Sequence, residues 1–145
     1  MNCNSVVINR IVFKLHPPGN HKTDYVYNGQ YFETPEEQMT AEILTCMGIR
    51  FMHHVNFVFY KKPNDRQPVI WCPDFVLEQP FLWQGAPHNG AVLVGMELKR
   101  SKLGGRPKIL SHALLRAHNI NIILLNNEQL LPYYDRKELP LRVVA

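Results

Sequence analysis

Three charged residues stand on two otherwise apolar stretches of the chain. The first stretch, residues 70–77, reads Ile-Trp-Cys-Pro-Asp-Phe-Val-Leu and contains Asp74. The second, residues 91–100, reads Ala-Val-Leu-Val-Gly-Met-Glu-Leu-Lys-Arg and contains Glu97 and Lys99. Charges on buried strands are costly unless they are paired or bind a metal. Two carboxylates and one ammonium that converge on a point predict a divalent-cation site with a positive group beside it.

Both stretches are apolar and β-branched enough to be buried strands. Side chains alternate along a strand, so Glu97 and Lys99 share one face and Met96 and Leu98 share the other. An ordinary cluster of ion pairs on the strands would have the same residue types. The residues by themselves leave that interpretation open beside a catalytic one.

A helix with its own carboxylates precedes these strands. Thr34 can cap it and Pro35 suits its first position, so we expect it to run to about Met47. Glu37 lies in its first turn, on the face that carries its core residues. Glu37 is either a capping-box residue or a member of the site, and Glu42 is the second candidate for a helix carboxylate.

The Pro-Asp pair at 73–74 and the Glu-Leu-Lys triplet at 97–99, preceded by the helix with Glu37, resemble the motif of the PD-(D/E)XK nuclease superfamily. The resemblance covers residues 34–125. It implies an α/β protein with a restriction-endonuclease-like core, in which a mixed central sheet is built in α-β-β-β-α-β order. Here an N-terminal strand and hairpin would be added to that core.

This resemblance implies a metal-dependent DNA endonuclease with Glu37, Asp74, Glu97 and Lys99 as catalytic residues. Asp74, Glu97 and the Leu98 carbonyl would hold Mg²⁺, for which Mn²⁺ would substitute, and Glu37 would join directly or through water. Such an ion lowers the pKa of its bound water and neutralises charge on the phosphate. Lys99 would orient the attacking water or help to deprotonate it.

A basic run follows the second strand. The chain carries a formal net charge of +4, yet it has no Asp or Glu between Leu98 and Asn127. A local positive field beside two carboxylates favours contact with phosphates. The residues expected to bind DNA are Arg100, Lys102, Arg106, Lys108, His112 and Arg116.

The length of 145 residues suits one nuclease domain. We divide it into an N-terminal extension (1–33), a catalytic core (34–125) and a C-terminal tail (126–145). The expected elements are a strand at 6–15, a hairpin at 25–32, strands at 51–60 and 70–77, a loop at 78–90, a helix at 107–118 and a central parallel strand at 120–125.

The same pattern predicts a homodimer or a higher symmetric oligomer. One metal site cuts one strand, so a double-strand cut needs two copies across the duplex. The contact surface would be the N-terminal strand and hairpin or the apolar Phe81-Leu82-Trp83 loop. The alternative for that loop is packing on its own core.

Three cysteines without metal-ligand spacing, no apolar run long enough for a membrane span and no signal-like N-terminus predict a cytoplasmic protein. Two other functions stay open at this stage: a DNA-binding or structural relative that has lost cleavage, and an RNA-processing nuclease. Among DNA nucleases, a junction resolvase, a homing or restriction enzyme and a transposon-end nuclease are equally compatible with these residues.

Overall fold

The computed structural model of the chain describes residues 5–8, 11–15, 22–53, 55–60, 62, 64–85, 92–99, 105–118 and 120–144. Its helices are α1 (Pro35–Cys46), α2 (Gly105–His118) and α3 (Asn127–Arg136). Its strands are β1 (Ser5–Ile8), β2 (Ile11–Leu15), β3 (Tyr25–Tyr27), β4 (Gln30–Phe32), β5 (Phe51–His53), β6 (Val55–Phe59), β7 (Val69–Trp71), β8 (Phe75–Trp83), β9 (Val92–Lys99), β10 (Asn121–Asn126) and β11 (Leu141–Val143).

A five-stranded mixed sheet forms the centre of the molecule. Its order is β10-β9-β8-β11, and β5 pairs with the first part of β8. Strand β10 runs parallel to β9, whereas β8 is antiparallel to β9, β5 and β11. The expected mixed α/β class is therefore confirmed. The expectation of a central β10 is wrong, because this strand lies at the edge of the sheet.

Two further sheets lie beside the central one. Strands β1, β2, β6 and β7 form an antiparallel sheet in that order, and β3 pairs with β4. The β3–β4 hairpin was predicted from Asn28-Gly29, and both residues have the positive φ angles (52° and 79°) that a type I′ turn requires. The strand predicted at 6–15 is instead a hairpin of β1 and β2.

The central sheet carries a separate hydrophobic core on each face. We call the first the α1 core, because α1 and α3 cover it; the second is the α2 core, covered by α2 and strands β6 and β7. The buried members of the α1 core include Ile43, Leu44, Phe75, Leu77, Trp83, Met96, Leu98, Ile123 and Leu130. Those of the α2 core are Phe57, Phe59, Trp71, Val76, Leu110, Leu114, Ile120 and Ile122.

Helix α1 begins and ends where its sequence predicts. The Thr34 hydroxyl accepts a hydrogen bond from the Glu37 backbone N–H at 3.2 Å, and Pro35 occupies the first turn, where no N–H is needed. Gly48, at φ 72°, follows the last turn in the left-handed conformation that glycine adopts most easily.

The strands predicted at 51–60 and 70–77 are both interrupted, which corrects the sequence expectation. The strand predicted at 51–60 is split into β5 and β6, which belong to different sheets. The stretch 70–77 is likewise split into β7 and β8 at residues 72–74. Pro73 has no backbone N–H to donate to a ladder, so the chain changes sheet at this point. Asp74 therefore lies at a bend and not inside a strand.

The first part of the loop predicted at 78–90, residues 78–83, is strand, and residues 86–90 lie outside the described structure. Strand β8 continues through Pro80 to Trp83, where it pairs with β11, the partner that sequence reasoning had assigned to an extended tail. Phe81 and Trp83 are buried in the α1 core. Packing on the chain's own core, the alternative that the sequence left open for this loop, is thus observed for Phe81 and Trp83.

The C-terminal region is more ordered than its sequence suggested. Helix α3 (Asn127–Arg136) forms within the segment that the sequence assigned to a C-terminal tail, because Asn126 and Gln129 form a reciprocal capping box and Leu130 is fully buried. Within the described part of the chain, none of the helices has the length and apolar character that crossing a bilayer requires.

Candidate functional site

Asp74 and Glu97 face each other across the start of the β8–β9 ladder. The register pairs Phe75 with Met96 and Val76 with Gly95, so its extension by one residue places Asp74 opposite Glu97. The Asp74 carboxylate also accepts a hydrogen bond from the Leu98 backbone N–H, with Oδ2 and N 2.7 Å apart. Strand pairing therefore places the backbone of Asp74 beside that of Glu97.

Leu98 presents its carbonyl to the same place. The N–H and C=O of one strand residue point toward the same neighbouring strand. Because the Leu98 N–H is directed at Asp74, its carbonyl oxygen also faces the Asp74 side. This orientation is compatible with the metal-ligand role that the family resemblance implies for it.

The α2 core lies on the same face of the sheet as these two carboxylates. Gly95 stands opposite Val76, and a Cβ added to Gly95 would lie 2.8 Å from Ile122 Cδ1; both neighbours belong to the α2 core. Side chains alternate along a strand, so Glu97 projects from the same face as Gly95. Glu97 is 7% exposed, which makes it one of the few buried charged residues in the described part of the chain.

The pKa of the Cys72 thiol reflects the negative charge near Asp74 and Glu97. Its pKa is raised to about 12, first by burial and then by the carboxylates of Glu97, Asp74, Glu33 and Glu37. Loss of a proton would place another negative charge among them, which is unfavourable. The acidic residues thus surround the bend at residues 72–74.

Glu37 reaches the region from the other face of the sheet. Its Oε2 accepts a hydrogen bond from the Thr34 hydroxyl at 3.0 Å, and its Oε1 lies 3.0 Å from His53 Nε2. An ionised carboxylate only accepts, so the imidazole N–H donates. The side chains of His53 and Glu37 are 3% and 5% exposed. Glu37 therefore faces an imidazole beside the α1 core, and its charge is among those that raise the pKa of Cys72.

His53 is the residue that sequence reasoning missed. Its ring packs edge-on against Phe32, with centroids 4.9 Å apart, and lies 5.3 Å from the ring of Phe75. Its Nδ1 is 3.4 Å from Gln30 Nε2. In the strand predicted at 51–60, the adjacent residues His53 and His54 would face opposite ways and could not both line one site. That argument rejects a site with both histidines, but it does not reject a partnership between one of them and the helix carboxylate.

The other carboxylates of α1 serve the packing of helices. The Tyr134 hydroxyl donates to Glu42 Oε2 at 2.7 Å, and this hydrogen bond is the main reason that the pKa of Tyr134 is raised. The Asn127 amide donates to Glu36 Oε1 at 3.1 Å. Glu42, the second candidate from the sequence, is thus engaged by α3 and does not approach Asp74 through these contacts.

The predicted basic residues are only partly within the described structure. Lys99 ends β9 opposite Asn126, and its side chain lies outside the described residues. Arg100 and Lys102 also lie outside them, as does the side chain of Arg106. The remaining three, which are all exposed and follow each other at intervals of four residues on α2, are Lys108, His112 and Arg116.

A groove lies along this basic face of α2. It has a volume of about 390 Å³ and is lined by Lys62, Ile109, His112, Ala113 and Arg116. We call it the α2 groove. Ile109 is 61% exposed here, because the buried stripe of α2 centres on Leu110 and Leu114.

The donor set suits magnesium in its chemistry. Mg²⁺ takes one or two carboxylates and completes its octahedron with water and substrate oxygens. The Asp74–Glu97 pair supplies this number, and opposed carboxylates repel each other unless a cation lies between them. No group of three His, Cys, Asp or Glu side chains close enough to hold a metal ion occurs among the described residues.

Comparison of the chain with protein-family models, with curated proteins and with solved structures found no match.

Proposed function

We propose that the chain is a Mg²⁺-dependent endodeoxyribonuclease with a restriction-endonuclease-like core. The observation that carries the proposal is the Asp74–Glu97 pair, which strand register holds together beside the position of Lys99. The order of elements supports it. If the β6–β7 hairpin, which belongs to the other sheet, is left aside, α1, β5, β8, β9, α2 and β10 follow the α-β-β-β-α-β order.

Each residue has a separate task in this mechanism. Asp74 and Glu97 would hold the cation, and the Leu98 N–H keeps the Asp74 carboxylate turned toward β9. A bound Mg²⁺ would stabilise the charge that develops on phosphorus and the leaving oxygen, and would acidify its water. Lys99, which follows Glu97 on the same face, orients that water or pairs with the phosphate. Glu37 contributes its negative charge from the α1 side.

The first test measures the cleavage of supercoiled plasmid and of duplex, branched and single-stranded oligonucleotides in Mg²⁺, with chelated samples as blanks. We expect Asp74→Asn and Glu97→Gln to lose at least about a hundredfold in rate, because the electrostatic stabilisation of the transition state depends on these carboxylates. DNA affinity should change little, since it derives mainly from phosphate contacts elsewhere.

Matched controls are Asp135→Asn and Glu78→Gln, which remove the same charges at exposed positions away from the bend at 72–74. Thermal melting of every variant verifies folding. Wild-type rates in both site variants would show that the assigned site is wrong. DNA binding without cleavage in Mg²⁺ or Mn²⁺ would favour a non-catalytic relative, and metal-independent RNA cleavage would favour an RNA-processing nuclease.

A further inference from the structure

The α2 groove has two basic walls that come from distant parts of the sequence. One wall is α2, with His112 and Arg116; the other is the turn between β6 and β7, which contributes Lys62. The turn is closed by Asp65, whose Oδ2 accepts a hydrogen bond from the Lys62 backbone N–H at 3.0 Å. Asp65 thereby fixes the position of Lys62, although the residues that line the groove in the described structure include no acid.

The basic series on α2 has the length of a short piece of nucleic acid. Lys108, His112 and Arg116 are four residues apart, so the series spans about 12 Å at about 1.5 Å per residue. This distance equals three to four nucleotides of one strand, at about 3.4 Å of axial rise for each. The volume of about 390 Å³ is small for a docked protein helix but sufficient for a narrow, extended chain.

Part of the lining of the groove is apolar. Ile109 and Ala113 line the groove together with the basic residues, and Ile109 is the second most exposed of the large hydrophobic residues in the described structure. A sugar–phosphate backbone alternates anionic groups with the apolar faces of its sugars. A groove lined by both cationic and apolar side chains complements both features, whereas a free anion would make no use of the apolar ones.

We infer that the α2 groove binds the sugar–phosphate backbone of one nucleic-acid strand, with Lys62 and Arg116 as phosphate contacts on opposite walls and Ile109 against the sugars. The choice of DNA as the nucleic acid rests on the proposed function. Lys62 lies outside the basic run of residues 98–127, and only the folded arrangement places it beside α2. The groove gives α2 a defined binding path for one strand.

The experiment measures the equilibrium binding of the full chain to a fluorescent duplex oligonucleotide by anisotropy, in chelator so that no cleavage occurs, over a range of salt concentrations. Each lost phosphate contact should lower the magnitude of the salt slope by about 1, so Lys62→Gln and Arg116→Gln should each bind about tenfold more weakly at 0.1 M salt. The double variant should lose about 2 units of slope. Ile109→Glu, at an exposed position, should weaken binding more than Lys62→Gln or Arg116→Gln does, because it adds a negative charge to the groove.

Arg142→Gln is the matched control, because Arg142 is exposed on β11, at the edge of the sheet opposite β10 and α2. Salt slopes that stay at the wild-type value in Lys62→Gln and Arg116→Gln would overturn the inference, as would equal losses in the control. Stronger binding of a polyglutamate peptide than of DNA, with the same dependence on these residues, would also overturn it and make the groove an acidic-peptide site.

Binding and cleavage fail separately in this design. If the chain does not cleave DNA but the variants show the expected salt slopes, the groove inference is supported and the proposed nuclease function is rejected. If cleavage depends on Asp74 and Glu97 but the salt slopes of the groove variants are unchanged, the nuclease function is supported and the groove inference is rejected.

Discussion

The hydrogen bond between Glu37 and His53 is formed almost entirely out of contact with water. Such a pair contributes little net stability compared with apolar residues of the same volume, since both groups lose their hydration. The loss of one partner is different, because it leaves the other buried without its counterpart. Here the phenyl rings of Phe32 and Phe75 enclose the imidazole, so solvent cannot readily replace it.

We therefore expect His53→Ala to lower the free energy of unfolding by about 3 kcal/mol, because the Glu37 carboxylate stays buried. In a Glu37→Gln background the same change should cost less, since a neutral amide that loses one hydrogen-bond partner is less unfavourable to bury than a carboxylate. Chemical denaturation of the four proteins in this double-mutant cycle measures the coupling. Gln30→Ala, which removes the exposed amide near His53 Nδ1, is the control. A coupling energy of zero would contradict this account.

At the scale of residues, the sequence predicted the environment of a charged side chain best where that side chain lies within an apolar strand. Glu97 could be assigned to a buried face of a strand from alternation alone, and the structure agrees, with Met96 and Leu98 in the α1 core. The partner of Glu37 could not be predicted in this way. His53 meets Glu37 only because β5 pairs with β8 beneath α1, and that is a long-range contact.

At the scale of elements, the contact between β8 and β9 positions the two carboxylates. It is unusually close at Gly95, where an added Cβ would lie 2.5 Å from the Phe75 carbonyl oxygen and 2.8 Å from Ile122 Cδ1. Backbone at that distance cannot move aside as the end of a side chain can. A glycine is thus required two residues before Glu97, directly beside the pairing that brings Asp74 to it.

Gly95→Ala should consequently destabilise the fold by about 2 kcal/mol or more, as overpacked cores do, and should reduce cleavage through displacement of Glu97. Ile122→Val removes the side-chain half of the clash but leaves the Phe75 carbonyl in place. We expect the double variant to recover little stability. Thermal and urea unfolding of the three variants measure the loss of stability. If Gly95→Ala is as stable as the wild type, the close approach of Gly95 to the Phe75 carbonyl oxygen is refuted.

Elements with strong local signals were predicted well and those defined by sheet pairing were not. The Asn28-Gly29 turn and the α1 cap are each specified by residues that are close together in the sequence. The split of residues 51–60 between β5 and β6 has no such signal, because the choice between sheets depends on which partner each half meets. The same holds for residues 81–83, whose pairing with β11 involves residues about sixty positions further along the chain.

At the scale of the whole molecule, the described part of the chain contains one candidate metal site, the proposed Asp74–Glu97 pair. A single site of this kind cuts one strand of a duplex. Of the two surfaces expected to join copies of the chain, the segment at 81–83 has Phe81 and Trp83 buried in the α1 core, which favours the N-terminal strands and hairpin. Among the described residues, β1 is the first strand in the order of its sheet, and an edge strand can pair with another chain.

We expect a homodimer of twofold symmetry, alone or on DNA, because two sites must face opposite strands for a double-strand cut. Sedimentation velocity with and without a duplex measures the assembly, and the ratio of nicked to linear plasmid in a single encounter measures the coupling of the cuts. A monomer under both conditions that still linearises plasmid in one encounter would rule out the dimer. A monomer that only nicks would indicate a single-strand nuclease.

The arrangement of the two cores has a spectroscopic consequence. The chain has two tryptophans. Trp71 is buried in the α2 core and Trp83 in the α1 core, where Tyr133 packs edge-on against the Trp83 indole at 5.7 Å. Each face of the central sheet therefore contains its own fluorophore. Replacement of Trp71 by phenylalanine leaves the Trp83 emission as a reporter of the α1 core, and replacement of Trp83 leaves the Trp71 emission as a reporter of the α2 core. The unfolding of each core can then be followed by fluorescence separately.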